Sequence, residues 1–266
     1  MVDRMPRAKT RPGRLAALDR ALLARERTLL TRRGGPFAHA VVVDVGLGAM
    51  PWTTLELAST LHAAVDPDLQ VVGLDVQPDV VQRACDLARD LARSGASTGA
   101  RFEVADLALP GLVARVVRVL NVLRDYAPAD IPAAHARLGA MLIHGGVLLE
   151  GSCGPEGEVG VVHSMRRHGD QLVREALWLW TDGSRGSAPI LFRDRLPRDL
   201  RRSVVPDHPL GRLMHEWMAA HARVPGAGLQ RLDASVRALD RPDLTLLASG
   251  FVAWAPEGGV PAPAAL

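Results

Sequence analysis

One short stretch constrains the fold of this chain more than any other, residues 40–54, which read AVVVDVGLGAMPWTT. The uninterrupted apolar residues at its start are typical of a β-strand that is buried on both faces. An acid, two glycines one residue apart and residues suited to a helix start, with Thr53 or Thr54 first, follow the strand. The stretch therefore predicts a strand, a tight turn and a helix.

A turn of this kind brings bare backbone close to a ligand. Gly46 and Gly48 have no Cβ atom, so the chain can bend sharply and point N–H groups into a crevice, with the N-terminus of the next helix behind them. Asp44, at the carboxyl end of the strand, adds a negative charge that suits an ammonium group or an ordered water. An ordinary glycine-containing loop between a strand and a helix would have the same sequence pattern. The pattern alone therefore does not distinguish a ligand-binding turn from such a loop.

Predicted strands and helices alternate up to residue 150, which indicates an α/β fold with a mainly parallel sheet and right-handed crossovers. Ligands of such sheets bind beyond the carboxyl ends of the strands, where polar residues end several strands: Asp44, Asp75, Asp106, Asn121 and Glu150. The predicted later strands are Leu69–Asp75, Arg101–Ala105, Val113–Leu120 and Val147–Glu150, and the predicted helices are Thr53–Val65, Pro78–Ser94 and Asp130–Leu142, with a turn at His144–Gly146.

The second half of the chain is less regular. A hairpin of Val159–Met165 with Leu172–Trp180, a helix over Leu210–His221 and a final strand over Leu244–Trp254 are predicted. Trp178 and Trp180 share a strand face, which fits core packing, an aromatic pocket or a homodimer surface. His215 and His221 are six residues apart and cannot share a helix face, so no metal site is predicted.

Length and composition limit the protein class. The 266 residues, 48% hydrophobic and 23% charged, fit a globular protein, which we divide into residues 1–35 and a single domain, residues 36–266. Cys85 and Cys153 indicate neither a disulfide framework nor a zinc site. No apolar segment suggests a signal peptide or a membrane span, so we expect a cytoplasmic protein without a membrane partner.

The N-terminal segment carries the basic character of the chain. Residues 1–35 hold ten basic and three acidic residues, a net charge of +7, whereas the whole chain has +3. A single lysine among 32 basic residues indicates a GC-rich, bacterial genome more than a nucleic-acid ligand. Met1–Gly13 is expected to be a loose arm, and leucines at helical spacing predict an amphipathic helix over Arg14–Thr31. This helix is either packed with a solvated basic face or a lid that recruits substrate.

Five segments in order make residues 38–153 resemble class I S-adenosylmethionine-dependent methyltransferases. The resemblance implies a Rossmann-like, mostly parallel sheet with helices on both faces, an antiparallel last strand and an N-terminal helical extension. It also divides the domain into a cofactor half, residues 38–153, and an acceptor-shaping half, residues 154–266. The segments are Val43–Gly48, Val72–Asp75, Ala105–Leu107, Arg118–Leu123 and Gly145–Leu149.

The resemblance also implies a site and a cofactor. S-adenosylmethionine would bind with its methionine part at the glycine turn, its ribose at Asp75 and its adenine near Asp106, and would leave as S-adenosylhomocysteine; no metal is expected. Asn121, Tyr126 and Glu150 are the candidate catalytic residues. The implied cofactor-binding residues are Asp44, Gly46, Gly48, Thr53, Asp75, Val76, Asp106, Leu107 and Asn121.

Departures from known sequence motifs argue against some cofactors and some substrates. Pro51 replaces the third glycine of a dinucleotide-binding turn, which disfavours NAD or FAD and hence a dehydrogenase. Asn121-Val122-Leu123-Arg124 lacks the Asn/Asp-Pro-Pro-aromatic motif of enzymes that methylate the exocyclic amines of nucleic-acid bases. Cys153 lacks the Pro-Cys context of the cytosine-C5 enzymes and is expected to be a packing residue.

The expected acceptor is a small molecule, with RNA methylation or a non-catalytic cofactor-binding module as alternatives. His163 is a further candidate base, and three arginines are candidate clamps for an anionic acceptor: Arg124, Arg166 and Arg167.

Overall fold

The computed structural model of the protein describes residues 11–95 and 98–263; most of the predicted N-terminal arm lies outside this part. The α-helices are α1 Ala16–Arg25, α2 Arg27–Thr31, α3 Trp52–Ala64, α4 Pro78–Arg93, α5 Ile131–Ala140, α6 Pro209–Arg223 and α7 Gly228–Ala238. The strands are β1 Val41–Val45, β2 Val71–Asp75, β3 Ala100–Val104, β4 Ala114–Leu120, β5 Leu142–Cys153, β6 Val159–His168, β7 Gln171–Thr181, β8 Leu244–Ala248 and β9 Phe251–Trp254.

The strands form a sheet with the hydrogen-bonded order β3-β2-β1-β4-β5-β6-β7-β9-β8. Strand β1 is parallel to β2 and β4, and β2 is parallel to β3. Strand β9 is antiparallel to β7 and β8. Helices α3 and α4 lie in the crossovers from β1 to β2 and from β2 to β3. The predicted Rossmann-like α/β class is confirmed.

The chain forms two compact units. The first unit contains the residues up to Val119 together with Ala133–Leu148 and Arg167–Gln171, and the second contains Leu120–Pro132, Leu149–Arg166 and the chain from Leu172 onward. The predicted domain boundary at residue 35 stays a prediction.

In the first unit, the glycine turn is fixed by an apolar cluster beside β2. Leu47, at the centre of the turn, is 1% exposed and packs with residues of α3, α4 and β3, among them Leu55, Val81 and Phe102. Gly73 in β2 makes room for it, because a Cβ there would lie 2.7 Å from Leu47 Cδ2 and 2.7 Å from Phe102 Cδ1.

The N-terminal segment packs on the first unit as two helices, so the predicted single helix is wrong in one detail. The break falls at Glu26, whose φ of −111° and ψ of 21° leave the helical region. The arginines Arg20, Arg25 and Arg27 are exposed, which confirms the packed helix with a solvated basic face. The leucines that predicted the helix are buried: Leu15, Leu18, Leu22, Leu29 and Leu30.

A buried arginine ties this segment to β4. Arg115 is 2% exposed, and its guanidinium donates to backbone carbonyls at the end of α2 and in the segment before β1. Burial, followed by repulsion from Arg33, lowers the pKa of Arg115. Carbonyls at a helix C-terminus have no partner within the helix, so a guanidinium is well suited to them. The acceptors are the carbonyl oxygens of Leu29, Leu30, Arg32, Phe37 and Ala40.

The second unit contains the predicted hairpin, as β6 and β7, and two elements that differ from the prediction. The predicted final strand is two strands, β8 and β9, because Asp233 accepts hydrogen bonds from Ser249 Oγ at 2.7 Å and from the Gly250 N–H at 2.9 Å and so holds a turn between them. Helix α7 was not predicted. In the first unit, the prediction of a turn at His144–Gly146 is wrong, because these residues belong to β5, which begins at Leu142.

The tryptophans of the second unit are core residues. Trp178 and Trp180 are each 2% exposed, and the Trp180 ring stacks on Phe251 with ring centroids 5.8 Å apart. The Trp180 indole N–H donates to the Gly157 carbonyl at 3.0 Å. Trp178 and Trp180 therefore serve in core packing, and the homodimer stays a prediction.

Within residues 11–95 and 98–263, no helix has both the length and the apolar character needed to cross a bilayer.

We predict that Gly73→Ala destabilises the protein by about 1–3 kcal/mol, because the added methyl group would push Leu47 and Phe102 out of their positions. Urea unfolding measures the change. Gly34→Ala is the control, since its φ is −89° and a Cβ there meets nothing within 4 Å; it should change stability by less than about 0.5 kcal/mol. Equal effects of the two variants would contradict the packing described for Leu47.

Candidate functional site

The glycine turn has the geometry that the sequence predicts. Gly46 and Gly48 have φ angles of 90° and 69°, in the left-handed region that favours glycine. The Gly46 N–H donates to the Leu74 carbonyl at 2.7 Å, which continues the pairing of β1 with β2 beyond the strand. Helix α3 begins at Trp52, directly after Pro51. A strand, a tight turn and a helix therefore follow one another here.

Asp75, at the end of β2, holds this turn from the neighbouring strand. Its Oδ2 accepts from the Leu47 N–H at 3.0 Å, and its Oδ1 accepts from the Gln77 N–H at 3.0 Å. Each carboxylate oxygen has two lone pairs, so one on each oxygen is left by these two bonds. The side chain is half-buried, and the next residue, Val76, is 52% exposed. The end of β2 thus presents two acceptor positions beside an apolar surface.

Asp44 faces a buried arginine. Arg118 lies opposite Asp44 in the register of β1 and β4 and is 0% exposed. Its Nε and Nη2 donate to the two Asp44 oxygens at 2.8 and 2.9 Å, Nη2 also donates to the Thr53 carbonyl at 2.9 Å, and Nη1 donates to Asp19 Oδ1 in α1. Thr54 Oγ1 donates to Asp44 Oδ2 at 2.6 Å. These contacts occupy about three of the four lone-pair positions of the Asp44 carboxylate.

The charges of this group are not balanced, because two carboxylates share one guanidinium. Burial, which outweighs the attraction of Arg118, raises the pKa of Asp19 from 3.8 to about 6, and the nearby Asp44 charge adds to the rise. Burial also disfavours the charged form of Arg118, but Asp19 and Asp44 together raise its pKa above the ordinary value. Arg118 therefore stays charged, and Asp19 is the group that takes up a proton.

The other predicted cofactor residues of the first unit differ in accessibility. Asp106 is exposed and accepts from Arg137 Nη1 at 2.8 Å, an ion pair in which both side chains are about half exposed. Leu107 is 1% exposed and Thr53 is 5% exposed, and Thr53 contributes a backbone carbonyl to Arg118. The fold therefore buries the Leu107 side chain as a core residue, whereas Asp106 and Val76 face outward.

In the second unit, Asn121 closes the end of β4 with an unusual backbone conformation. Its φ is 63°, a left-handed value that asparagine adopts more readily than most residues. Its N–H donates to the Gly151 carbonyl at 2.9 Å, and its Oδ1 accepts from the Cys153 N–H at 3.0 Å. Cys153 is 1% exposed, as expected of a packing residue. Asn121 thus fixes the segment after β4 against the end of β5.

The candidate bases also lie in the second unit and are not equally accessible. Tyr126 is half-buried, and its carbonyl accepts from Arg198 Nε at 2.8 Å. Glu150 is 1% exposed. His163 is 0% exposed, and its Nε2 lies 3.1 Å from Asp199 Oδ1, while the other Asp199 oxygen accepts from Arg174 Nη2 at 2.8 Å. Tyr126 is therefore the most accessible of the three.

The three arginines predicted as clamps have different surroundings. Arg166 pairs with Glu175 through Nε at 2.9 Å, and Arg167 donates to backbone carbonyls at the end of α5 and the start of β5, including Gly139 and Leu142. Both guanidinium groups therefore bind partners within the protein, and the prediction that they hold an anionic acceptor is wrong. Arg124 alone keeps a largely open side chain, 43% exposed, with Asp125 at 3.9 Å.

The buried network around Arg118 was not predicted, although the sequence contains a signal for it. Strand β4 reads ARVVRVL, with Arg115 and Arg118 inside a run that is otherwise apolar. A charged residue in a buried strand requires a partner, and Asp44 is the only acid in β1. In the part of the chain that the structure describes, His, Cys, Asp and Glu side chains form no group of three or more that could hold a metal ion.

No protein-family profile and no curated protein sequence match the chain. Solved structures of low identity match part of it, and we describe three of them. They are magnesium protoporphyrin IX methyltransferase from Synechocystis PCC 6803 with bound S-adenosylhomocysteine (21% identity over 51% of this chain and 52% of that chain, TM-score 0.38), mitomycin 7-O-methyltransferase (20%, 52% and 39%, 0.34) and geranyl diphosphate methyltransferase with S-adenosylmethionine (20%, 53% and 53%, 0.32). The chain spans about half the length of these proteins or less.

We predict that Asp19→Asn removes a pH dependence of stability. Native Asp19 binds its proton more tightly than the unfolded chain does, since its pKa is about 6 against 3.8. Its contribution is therefore fully present below pH 3.8 and is lost as the pH rises through about 6, by about 3 kcal/mol in total. Relative to the wild type, the free energy of unfolding of the variant should rise by about 2 kcal/mol between pH 4 and pH 7.

Urea unfolding at a series of pH values measures the difference. Asp90→Asn is the control, because Asp90 forms an exposed ion pair with Arg93. A constant offset between Asp19→Asn and the wild type across this pH range would show that Asp19 does not titrate within the network.

Proposed function

We propose that this protein binds S-adenosylmethionine and transfers its methyl group to a small-molecule acceptor, which makes it a methyltransferase of class 2.1.1. The observation that carries the proposal is the arrangement of Asp75 with the glycine turn. One lone pair on each carboxylate oxygen is left beside a turn of bare backbone. Two adjacent acceptors match the two hydroxyl groups of a ribose.

The surroundings of Asp75 support the same ligand. Val76 offers an exposed apolar side chain for one face of an adenine ring. Asp106 is an exposed carboxylate that could accept from the exocyclic amine of the adenine. The turn has no side chain at Gly46 or Gly48, whose φ angles suit glycine, so its bare backbone would face the methionine part.

Asp44 has a different role in this proposal from the one that the sequence suggested. Because Arg118 and Thr54 occupy most of its acceptor positions, we assign it to positioning the turn. The backbone of the turn would then provide the main contacts to the methionine part, and Thr53 would support them through its buried backbone.

When bound, the cofactor supplies a methyl group on a sulfonium, from which a neutral thioether leaves. The remaining work of the protein is to hold the acceptor in line and exclude water. Asn121 would position the segment after β4. Of the candidate bases, the half-buried Tyr126 would take the proton of the acceptor in its phenolate form, and the buried Glu150 would have a positioning role. A dedicated base is not required when the acceptor is already nucleophilic.

Calorimetric titration with S-adenosylmethionine and S-adenosylhomocysteine tests the cofactor site. We predict binding of both, weakened about tenfold or more in Asp75→Asn, because hydrogen bonds to a charged group contribute about 1.5–3 kcal/mol. Asparagine keeps one oxygen for the Leu47 N–H, so the turn should remain folded. Glu103→Gln is the control, since Glu103 forms an exposed pair with Arg101 in the same unit.

The outcomes separate the alternatives. Failure of the folded wild type to bind either sulfur nucleoside would overturn the proposal, and NAD binding instead would favour a dehydrogenase. Binding without methyl transfer to any compound in an acceptor screen would leave a non-catalytic cofactor-binding module.

One observation favours RNA as a second candidate for the acceptor. Arg20, Arg25 and Arg27 on α1 and α2 are exposed, whereas the two carboxylates of this segment, Asp19 and Glu26, are buried. The described part of the segment therefore presents an almost purely basic surface, which is the kind that binds phosphates.

We predict that RNA binding, if it occurs here, weakens about tenfold between 50 and 200 mM salt and is lost in the triple variant Arg20→Gln, Arg25→Gln, Arg27→Gln. Fluorescence anisotropy with an RNA oligonucleotide measures both effects. The matched control neutralises Arg83, Arg89 and Arg93, which pair with aspartates on α4. Deletion of residues 1–33 is unsuitable, because it removes Asp19 from Arg118. Equal losses in the two triple variants would reject a specific RNA surface.

A further inference from the structure

Four arginines of the second unit are associated with the segment that follows β4. Arg195, Arg198 and Arg201 lie in or directly after the 3-10 helix Pro189–Arg195, and Arg124 lies in the 3-10 helix Leu123–Asp125. Arg198 Nε donates to the Tyr126 carbonyl at 2.8 Å, which joins the two segments. Ser152 Oγ donates to the Arg195 carbonyl at 2.9 Å, which attaches the same segment to the end of β5.

The hydrogen bond from Arg198 to Tyr126 brings the segment of Arg195, Arg198 and Arg201 beside the segment that carries Arg124, which lies two residues before Tyr126. Burial, followed by repulsion from Arg198, Arg124 and Arg195, lowers the pKa of Arg201, and Asp125 opposes the shift. Three positive charges and one negative charge are therefore the strongest electrostatic influences on this half-buried arginine. The cluster is strongly positive.

Among the described residues, one carboxylate, that of Asp125, lies at ion-pair distance from a member of this cluster. Arg124 has Asp125 at 3.9 Å, and among residues 11–95 and 98–263 no carboxylate lies at ion-pair distance from Arg195, Arg198 or Arg201.

Other half-buried arginines of the same unit are paired at short distances. Arg166 pairs with Glu175 at 2.9 Å, Arg174 pairs with Asp199 at 2.8 Å, and Arg241 pairs with Asp243 at 2.8 Å. The cluster therefore differs from these three arginines, each of which has a carboxylate within 2.9 Å.

Like charges held together at partly desolvated positions destabilise the folded state unless an anion binds between them. Guanidinium groups bind carboxylates and phosphates through two parallel hydrogen bonds, and they bind more specifically than an ammonium group. The side chain of Arg198 keeps its Nη groups for such a ligand, because only Nε is used by Tyr126.

We propose that Arg124, Arg195, Arg198 and Arg201 bind the anionic group, a carboxylate or a phosphate, of a small-molecule ligand. The assignment of that ligand as the methyl acceptor rests on the proposed function, because Asn121 and Tyr126 belong to the same segment. The anion site itself does not depend on it. Sequence reasoning identified only Arg124 of this group, since the other three are about 70 residues further along the chain.

Titration calorimetry without any cofactor tests the anion site. The probes are inorganic pyrophosphate and citrate, which distinguish phosphate from carboxylate, and glycerol serves as the neutral probe. We expect the wild type to bind at least one anion and the double variant Arg124→Gln, Arg195→Gln to bind it about tenfold or more weakly. This variant removes charge without removing a side-chain hydrogen bond to the backbone, and thermal unfolding checks that it folds.

Arg223→Gln is the matched control, because Arg223 is an exposed arginine at the end of α6 in the same unit. Arg201→Gln provides a second member of the cluster and should weaken binding as well. No anion binding by the wild type, or equal weakening by Arg223→Gln, would overturn the site. Binding only of an RNA oligonucleotide, lost in the cluster variants, would overturn the small-molecule assignment.

The test is separate from that of the methyltransferase. Anion binding without binding of S-adenosylmethionine would retain the anion site and overturn the proposed function. Cofactor binding without anion binding would overturn the anion site and retain the proposed function.

Discussion

The first unit is organised around the buried guanidinium of Arg118. It joins the end of β1, the start of α3 and helix α1 through Asp44, Thr53 and Asp19. Desolvation of a charged group costs several kcal/mol, and only complete hydrogen bonding compensates for it. Loss of one partner from such a group typically costs about 3–5 kcal/mol. The strand, the turn and the N-terminal helix therefore depend on one side chain.

This network changes the meaning of the N-terminal segment. Its basic surface suggested an arm attached to a self-sufficient domain, but Asp19 reaches Arg118, and the end of α2 provides carbonyls to Arg115. The segment is thus part of the packing beneath the glycine turn. Changes in α1 can therefore affect the glycine turn through Arg118 and the position of Asp44.

The arginines of this protein have three distinct roles, which differ in the groups that their guanidinium groups contact. Arg115, Arg118 and Arg167 are internal ties whose donors are used by carbonyls and carboxylates. Exposed arginines such as Arg83 form helix-surface pairs, which contribute little to stability. The cluster that includes Arg124 and Arg198 belongs to neither group. Because almost all basic residues of the chain are arginines, the amino-acid composition does not distinguish these roles.

The sequence alone determined the local elements of the cofactor half. Apolar runs that end in an acid predicted β1 and β2, and the two glycines predicted the turn, because each signal depends only on residues close together in the chain. Asp75 and Asp106 were predicted from the sequence as acids at the ends of strands, and their cofactor role stays a prediction. The break at Glu26, the split of the last strand and α7 were missed, because the first two depend on single contacts and backbone angles and α7 carried no signal that we recognised.

Only the tertiary structure decided which polar residues are used internally. Asp44 and Asp75 occupy equivalent positions at strand ends. Asp44 faces Arg118, 74 residues away, whereas Asp75 accepts from two backbone N–H groups and keeps one lone pair on each oxygen. The same holds for Arg167, which binds carbonyls, and for Arg195 and Arg201, which join Arg124 from a distant segment. Local sequence determines which charges are present, and long-range packing determines their partners, because a partner is chosen by proximity in the folded chain.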